Sequence, residues 1–319
     1  MQYSLIVPIY NDGNMAEDFC IEFEKEFKHY LNKENIEEDT ELIFVNDGSK
    51  DNSLAIIKDY IIKLSNEKKF VKVIDLSRNF GQHIALSCGY QLATGDFVGM
   101  LNVDMQEPPS EIPKLLEFIK ENKFDIVYGL THSRKTTFFN SVSSRLFSYF
   151  LNSLTKSKMP LNVTTLRIMN RKFINAYNLL SEKSRYIPGL ETWLGFKPGY
   201  LPIIHKERTK GKSSYNLKKR LTMALESVIS FSDYPLRLIV GFGTTIAIVG
   251  FLLTFYLIIS KLFFIDYQPG YTTTISIITF IGGIQIMVIG FSSLYIGRIL
   301  KEVQNRPLYI INETYNFKK

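Results

Sequence analysis

About the first hundred residues alternate short apolar runs with longer segments in which apolar residues recur at helical spacing. A short apolar run bounded by turn residues is typical of a buried strand, and helical spacing is typical of an amphipathic helix. In chain order, the predicted strands are 4–9, 41–45, 71–75 and 97–101, and the predicted helices are 15–31, 53–64 and 82–93. This alternation predicts an α/β fold whose mostly parallel, Rossmann-like sheet carries helices on both faces.

Two stretches near the C-terminus, 238–260 and 267–297, contain no charged side chain. A helix rises about 1.5 Å per residue, so each stretch is long enough to cross a hydrocarbon core of roughly 30 Å. We predict a C-terminal hairpin of two transmembrane helices, over about 236–260 and 272–296. The alternative is a pair of core helices buried inside a soluble domain.

Basic residues flank this predicted hairpin on its outer sides, whereas the segment between the two helices holds Lys261 and Asp266. The flanking residues are Lys218, Lys219, Arg220 and Arg237 before the first helix, and Arg298, Lys301 and Arg306 after the second. The cytoplasmic loops of membrane proteins carry an excess of Lys and Arg. We therefore expect a multi-pass protein of the plasma membrane, with the large domain and both termini in the cytoplasm.

Two further segments have amphipathic patterns. One covers about 138–154, and the other, over 216–235, leads from a basic start into the first predicted span. Each is suited to the membrane interface, and the alternative is packing against the domain or a second subunit. The predicted organisation is a cytoplasmic domain over 1–215, the juxtamembrane helix, the hairpin over 236–297 and a cytoplasmic tail over 298–319.

The 319 residues carry a formal net charge of +7, which suits nucleic acid, anionic lipid or phosphorylated ligands. Because membrane spans are predicted, the lipid surface is the first explanation, and we expect no nucleic-acid partner. The two cysteines, Cys20 and Cys88, suggest no disulfide framework and fit a reducing compartment. No signal peptide is expected, because the chain runs from Met1 almost at once into the first predicted strand.

Polar clusters follow the predicted strands at their carboxyl ends, where parallel sheets bind their ligands. These clusters are Asn11–Asp12, Asn46–Asp47, Ser77–Asn79 and Asn102–Asp104. After the fourth strand, the oxygens of closely spaced carboxylate and amide side chains can hold Mg²⁺, which leaves coordination positions for water and substrate phosphates. Acidic turns are common, so a solvated loop is the alternative at this position.

Five motifs occur in a fixed order: Val7–Asn11, Val45–Asp51, Leu76–Gln82, Gly95–Phe97 and Asp104–Pro109. Together they resemble the family 2 inverting glycosyltransferases of the GT-A fold. Within that family, the chain is most similar to the polyisoprenyl-phosphate glycosyltransferases. The later segments 208–215 and 230–237 and the predicted hairpin also resemble this group, so the likeness covers nearly the whole chain.

The resemblance implies a donor site with residues for the nucleotide and for a metal ion. Pro8, Tyr10 and Asp12 stand where the family holds the nucleotide base, Asp47 stands where an acid binds the edge of uracil or guanine, and Asn102 completes the nucleotide-binding set. The implied catalytic and metal-ligating residues, which hold Mg²⁺ or Mn²⁺ against the donor diphosphate, are Asp104 and Gln106.

The resemblance also implies a set of residues that bind the phosphate groups of donor and acceptor. These residues are Arg134, Arg208, Lys212 and Ser213. Arg and Lys oppose phosphate charge and Ser donates a hydrogen bond, so the residue types suit the task. The alternative for 208–215 is an ordinary basic surface loop.

The chain departs from the family pattern at several positions: Asp12 replaces a more usual glutamate, and of the frequent Asp-x-Gly-Asp-Phe-Arg-Leu motif the segment 162–168 retains only Arg167. Asn102 replaces a usual aspartate, Thr131 replaces a frequent second arginine, and Thr165 replaces a carboxylate two residues before the retained Arg167. A hydroxyl acceptor needs a general base, whereas a phosphate monoester is already mostly a dianion at neutral pH. The change at Thr165 therefore counts against a hydroxyl acceptor more than against a phosphate acceptor.

The resemblance implies an inverting, metal-dependent transfer of a sugar from a UDP-linked donor to undecaprenyl phosphate, which supplies a lipid-linked sugar for surface glycans. It also implies a homo-oligomer that works with a flippase and a downstream glycosyltransferase. The alternatives are a catalytically impaired membrane scaffold and a transferase with a different lipid or glycan acceptor. A processive polysaccharide synthase is disfavoured, because the single tryptophan, Trp193, lies outside the motif expected of one.

Overall fold

The computed structural model describes residues 2–31, 39–63, 70–131, 162–183, 185–206 and 270–317, together with scattered helical residues between 241 and 263. The chain divides into two compact units. One comprises Met1–Asn216 and Pro307–Lys319, and the other comprises Leu217–Arg306. The predicted helices over 138–154 and 216–235 lie outside the described residues.

In the described part of the first unit, eight strands form a single sheet. The strands are β1 (Tyr3–Ile9), β2 (Thr40–Asn46), β3 (Val71–Leu76), β4 (Phe97–Met100), β5 (Ile126–Thr131), β6 (Val163–Asn170), β7 (Pro198–Ile203) and β8 (Ile311–Tyr315). Their order is β7-β5-β6-β4-β1-β2-β3-β8. Neighbouring strands among β1 to β4 run parallel, as do β5 and β7, whereas β6 and β8 are antiparallel to their neighbours. The prediction of a mostly parallel sheet is confirmed.

Helices cover both faces of this sheet, and all seven elements predicted from the pattern are present within one residue at each end. The helices in the described part of the first unit are α1 (Ala16–Leu31), α2 (Ser53–Lys63), α3 (Gln82–Leu92), α4 (Ile112–Asn122), α5 (Arg171–Asn178) and α6 (Ile187–Trp193). Phe19, Phe23 and Phe27 of α1 join alternate residues of β1 in one apolar core. On the opposite face, Gly89 lets α3 approach the side chain of Ile6 closely. The sheet is therefore buried on both sides, which explains its nearly continuous apolar strands.

The pairing of β1 with β4 stops before the carboxyl end of β1, and we call the space beyond it, between the segments that follow the two strands, the crevice. Their pairing ends at Ile6 and Met100, and the next bond, from the Leu101 amide to the Ile6 carbonyl, is 3.0 Å long. The backbone nitrogen of Pro8 faces the β4 side of β1, as that of Ile6 does. Because β4 has already ended at this level, the N–H group that proline lacks would have no partner strand there. From β1, the strands β2 and β3 are added on one side of the sheet and β4 is added on the other, so the order of the strands reverses at this crevice. Such a reversal of strand order is where open α/β sheets bind ligands.

The C-terminal tail returns to the sheet as the strand β8, which pairs antiparallel with β3. The Asn316 side chain donates to the Val71 carbonyl over 2.9 Å, and the Tyr309 hydroxyl donates to the Gln91 side chain over 2.5 Å. An exposed ion pair joins Lys58 to Glu313 at 3.4 Å. The tail thus covers the edge of β3 that would otherwise expose unpaired backbone groups.

The second unit contains the long helix α7 (Tyr271–Val303). In the described part of the chain, one helix is long and apolar enough to cross a membrane, over Ile281–Val303. The Ser292 and Ser293 hydroxyls donate to the carbonyls four residues earlier, which satisfies them inside the helix. The helix predicted over 272–296 is confirmed and continues beyond its uncharged part. The span predicted over about 236–260 lies mostly outside the described residues.

Candidate active site

Asp47, at the end of β2, ties this strand to the loop before α3. Its side chain is 3% exposed, and its two carboxylate oxygens accept the backbone N–H groups of Phe80 and Gly81 over 2.7 and 2.9 Å. Burial raises the pKa of Asp47 although both amides favour the ionised form. Next to it, Gly48 has a φ of +63°, and a Cβ there would lie 2.3 Å from the carbonyl carbon of Arg78. Glycine is therefore required for this close approach of the two loops.

A series of hydrogen bonds between buried polar side chains supports the end of β2. The Asn46 side chain donates to Asp75 over 2.7 Å, and its oxygen accepts the Ser49 amide at 3.3 Å. The other oxygen of the Asp75 carboxylate accepts from Asn312 of β8 over 2.9 Å. The C-terminal strand is thus linked through Asp75 to the residue beside Asp47. Neither Asp75 nor Asn312 was predicted from the sequence to support the site.

The turn after β1 is fastened to the turn after β2. The Asn11 amide donates to the Ser49 hydroxyl over 3.0 Å, and the Asn11 side-chain oxygen accepts the Lys50 amide over 2.9 Å. Asn11 has a φ of +57°, a conformation that asparagine adopts more readily than most residues. These bonds bring Tyr10 and Asp12 to the crevice edge that carries Asp47, and Tyr10 is 41% exposed there.

The segment after β4 carries the predicted metal-ligating residues. Asp104 is 9% exposed, and one oxygen of its carboxylate accepts the Gln106 amide over 3.2 Å. Met105, between them, has a φ of +55°, a left-handed conformation that is uncommon for residues other than glycine. The Gln106 carbonyl accepts the Lys206 amide over 2.8 Å. Asp104 also lines an open groove of about 550 Å³ beside α1, so solvent reaches this segment.

A chain of four side chains connects the end of β4 with β6 and α3. The Gln82 amide donates to the Asn102 oxygen over 3.2 Å, and the Asn102 amide donates to the Thr165 hydroxyl over 2.9 Å. The Thr165 hydroxyl in turn donates to Glu107 over 2.9 Å. Burial raises the pKa of Glu107, although the Thr165 bond and the His205 ring, 3.4 Å from its other oxygen, act in the opposite direction.

Below this chain lies a buried ion pair between β6 and α6. The Arg167 guanidinium donates to Glu191 over 2.6 Å, the Tyr128 hydroxyl donates to the same oxygen over 3.0 Å, and the Arg167 Nε donates to the Thr165 carbonyl over 3.0 Å. Burial alone would lower the pKa of Arg167, but the carboxylate beside it raises the pKa above its ordinary value. Arg167 stands out in the sequence as a residue retained from the family pattern, whereas Glu191 does not, because the partners are 24 residues apart and neither spacing nor periodicity relates them.

The donor atoms after β4 suit a divalent ion that the substrate helps to hold. Among the described residues, no group of three or more His, Cys, Asp or Glu side chains is placed to enclose a metal ion. Asp104 offers carboxylate oxygens, and the Asn102 oxygen, which accepts one bond from Gln82, keeps a second lone pair. Mg²⁺ commonly binds one or two carboxylates together with water and substrate phosphates, so the residues present fit such an ion.

The predicted site residues are thus only partly brought together. Pro8, Tyr10, Asp12 and Asp47 lie on one side of the crevice between β1 and β4, and the segment from Asn102 to Gln106 lies on the other. The predicted phosphate-binding residues, Arg134, Arg208, Lys212 and Ser213, are outside the described part of the chain. Gln82 and Glu107 lie inside the motifs Leu76–Gln82 and Asp104–Pro109, but neither residue was predicted to belong to the site.

Comparisons with known proteins agree with this arrangement. The family model described as Glycosyl transferase family 2 matches residues 4–177. The chain is 34% identical to the uncharacterized glycosyltransferase YkcC of Bacillus subtilis, covering 100% of this chain and 95% of that protein. It is 33% identical to an SfII prophage-derived bactoprenol glucosyl transferase of Shigella flexneri, covering 99% of each chain. An undecaprenyl-phosphate 4-deoxy-4-formamido-L-arabinose transferase of Proteus mirabilis is 31% identical over 99% of this chain and 94% of its own. The resemblance and the GT-A fold are confirmed, and the chain belongs to glycosyl transferase family 2.

Proposed function

We propose that this transferase moves a sugar from a nucleotide-sugar donor to a polyprenyl phosphate in the membrane, with inversion at the anomeric carbon. The proposed donor is a UDP-sugar, and the proposed acceptor is undecaprenyl phosphate. The observation that carries the proposal is the polar crevice between β1 and β4, with Asp47 on one side and Asp104 on the other, in a chain that also holds an apolar helix of membrane-spanning length. The names of the relatives from Shigella flexneri and Proteus mirabilis, which match over nearly their whole length, support the acceptor class.

In this proposal the two sides of the crevice bind different parts of the donor. Pro8, Tyr10, Asp12 and Asp47 hold the base, and Asp104 with Gln106 holds the diphosphate through Mg²⁺ or Mn²⁺. When bound there, such an ion would supply positive charge against the leaving diphosphate. Positive charge from Arg134, Arg208 and Lys212, with a hydrogen bond from Ser213, holds the phosphate groups.

Transfer needs little help with protons. An oxygen of the acceptor phosphate, already ionised at neutral pH, attacks the anomeric carbon in line with the departing diphosphate oxygen. One carbon–oxygen bond forms as the other breaks, and the nucleoside diphosphate leaves with the bonding electrons. The enzyme's task is to position the two substrates and to balance their negative charge, which is consistent with Thr165 at a position where a carboxylate is usual.

In this proposal the protein is anchored in the same membrane as its lipid acceptor, so the acceptor phosphate reacts without leaving the bilayer. With a cytoplasmic domain, the sugar is added on the side where nucleotide sugars are made. A flippase and a downstream glycosyltransferase then carry it to surface glycans, and the enzyme acts as a homo-oligomer.

The test uses the full-length protein in liposomes that contain undecaprenyl phosphate, with Mg²⁺ and a panel of UDP- and GDP-sugars. Release of nucleoside diphosphate should require both the lipid phosphate and the divalent ion. Undecaprenol, which has the same tail but a hydroxyl head, should give no release above the lipid-free rate. Equal release with undecaprenol would contradict the proposed acceptor.

A non-catalytic scaffold is the second candidate, because Asn102 and Thr165 lack the carboxylates usual in the family. That candidate predicts nucleotide binding without turnover of any donor in the panel, under conditions in which a relative is active.

A further inference from the structure

We infer that Gln82 and Asn102 form a pair of amides that binds the hydroxyl groups of the donor sugar, and that Glu107 and Thr165 fix the orientation of this pair. The inference rests on the proposed function and adds to it the residues that determine sugar specificity. Glu107 and Thr165 act as positioning residues, because they reach the sugar only through Asn102.

The orientation of Asn102 follows from which groups have hydrogens to donate. The Thr165 hydroxyl has a single hydrogen and donates it to Glu107 over 2.9 Å. The Thr165 oxygen must then accept its second bond, over 2.9 Å, from the NH₂ group of Asn102. The Asn102 oxygen is consequently turned toward Gln82, which donates to it over 3.2 Å. A buried carboxylate thus decides which face the Asn102 amide presents at the crevice.

The place of the pair along the sheet edge matches the place of the sugar in the donor. A nucleotide sugar runs from base to diphosphate to sugar, and the predicted base residues follow β1 and β2. Asp104 follows β4, so a donor continuing in the same direction reaches the boundary between β4 and β6. Asn102 and Thr165 join these two strands there, and Gln82 begins α3 directly after the loop held by Asp47.

The burial of the four side chains separates those that contact ligand from those that support. Gln82 is exposed and Asn102 is half-buried, whereas Glu107 is 3% exposed behind them. The two amides retain further hydrogen-bonding capacity, since each NH₂ group has two hydrogens and each oxygen two lone pairs. A pair fixed in direction distinguishes sugars by hydroxyl position, because a misplaced hydroxyl leaves a polar group without its partner.

The experiment measures binding of the full-length protein in detergent with Mg²⁺. Dissociation constants are measured for UDP and for UDP-glucose, UDP-galactose and UDP-N-acetylglucosamine. The ratio of the UDP constant to the constant of the UDP-sugar that binds most tightly measures how much the sugar adds to the affinity. Gln82→Met and Thr165→Val should each lower this ratio about tenfold while UDP affinity stays within about twofold. Thr165→Ser keeps the hydroxyl and should keep the ratio.

A relocation of the carboxylate tests the orientation itself. Thr165→Asp alone places two carboxylates against each other and should lower the ratio. Adding Glu107→Gln should restore it, because the introduced aspartate then accepts the Asn102 amide directly and the introduced glutamine can donate to that aspartate. A double variant no better than Thr165→Asp would overturn the positioning role.

Different results would contradict the proposed donor and the proposed sugar contact. A wild-type protein that binds neither UDP nor any of the three UDP-sugars overturns the proposed donor, and the sugar contact with it. Wild-type binding with a ratio that Gln82→Met and Thr165→Val leave unchanged overturns only the sugar contact. Gln82 is exposed, so Gln82→Met remains informative even if the Thr165 variants fail to fold.

Discussion

Removal of Glu191 should destabilise the catalytic domain strongly, because it leaves the charge of Arg167 buried. The Glu191 side chain is 0% exposed and that of Arg167 is 7% exposed. In a Glu191→Ala variant, the guanidinium loses its 2.6 Å carboxylate partner and keeps the Thr165 carbonyl as an acceptor. Breaking such a buried pair costs about 3–5 kcal/mol. For a domain of this size, each kcal/mol lowers Tm by about 2–4 °C, so Tm should fall by about 6–20 °C.

The assay is thermal unfolding of the full-length protein in detergent, followed by near-UV circular dichroism. Glu313→Ala is the matched control, since it removes a carboxylate from the exposed pair with Lys58 and should cost less than about 1 kcal/mol. A double variant, Arg167→Met with Glu191→Leu, removes both charges and should recover most of the loss. A fall in Tm no larger than that of Glu313→Ala, or a double variant no more stable than Glu191→Ala, would refute the reasoning.

Two further predictions concern the residues around Asp47 and α3. Burial, and then the Arg167 charge, lower the pKa of His83 from 6.5 to about 4. Between these two pH values the folded state therefore binds fewer protons than the unfolded state. The contribution of His83 to the free energy of unfolding is complete above pH 6.5 and is lost as the pH falls toward 4. Wild type should lose about 3 kcal/mol more between pH 7 and pH 4 than His83→Gln, measured by denaturant unfolding at each pH; identical pH profiles would exclude this effect. Gly48→Ala should weaken UDP binding about tenfold in a calorimetric titration, because the new Cβ displaces the backbone of Arg78 and the loop held by Asp47. Gly195→Ala has a similar φ of +68° but no neighbouring atom closer than 4.0 Å, so it should cost about 1 kcal/mol of stability and leave UDP affinity unchanged; equal loss of affinity in both variants would refute the explanation.

The sequence predicted the first half of the sheet well because each element there carries its own local signal. Parallel strands buried on both faces read as continuous apolar runs, and each is followed by an amphipathic helix. The strand β8 has no such signal. Its sequence is mostly polar and its central residues are exposed, so only its pairing with the distant β3 makes it a strand.

The helix α7 shows a similar limit at its C-terminal end. The absence of charge predicted the apolar part correctly but ended the helix near residue 296, whereas the helix continues to Val303. The additional residues include Arg298, Lys301 and Glu302, which are good helix formers. Charge therefore marks where an apolar surface ends and does not mark where the helix ends.

The site was predictable as a location but not as a set of contacts. The rule that ligands bind at the carboxyl ends of strands pointed to Asp47 and Asp104. The four-residue chain could not be read in advance, because Gln82, Asn102 and Thr165 lie on three separate elements. From the sequence, Thr165 indicated only that a carboxylate usual in the family is missing. In the structure, the carboxylate of Glu107 lies 2.9 Å from the Thr165 hydroxyl.

The role of Asp104 is tested most directly by UDP binding to the full-length protein with and without Mg²⁺. In wild type, Mg²⁺ should tighten UDP binding, and Asp104→Asn should remove this increase while leaving the metal-independent affinity in place. Asp96→Asn, an exposed aspartate beside the opposite end of β4, is the control and should behave as wild type. An Asp104→Asn variant that keeps the full effect of Mg²⁺ would contradict the assignment of the donor diphosphate to this end of β4.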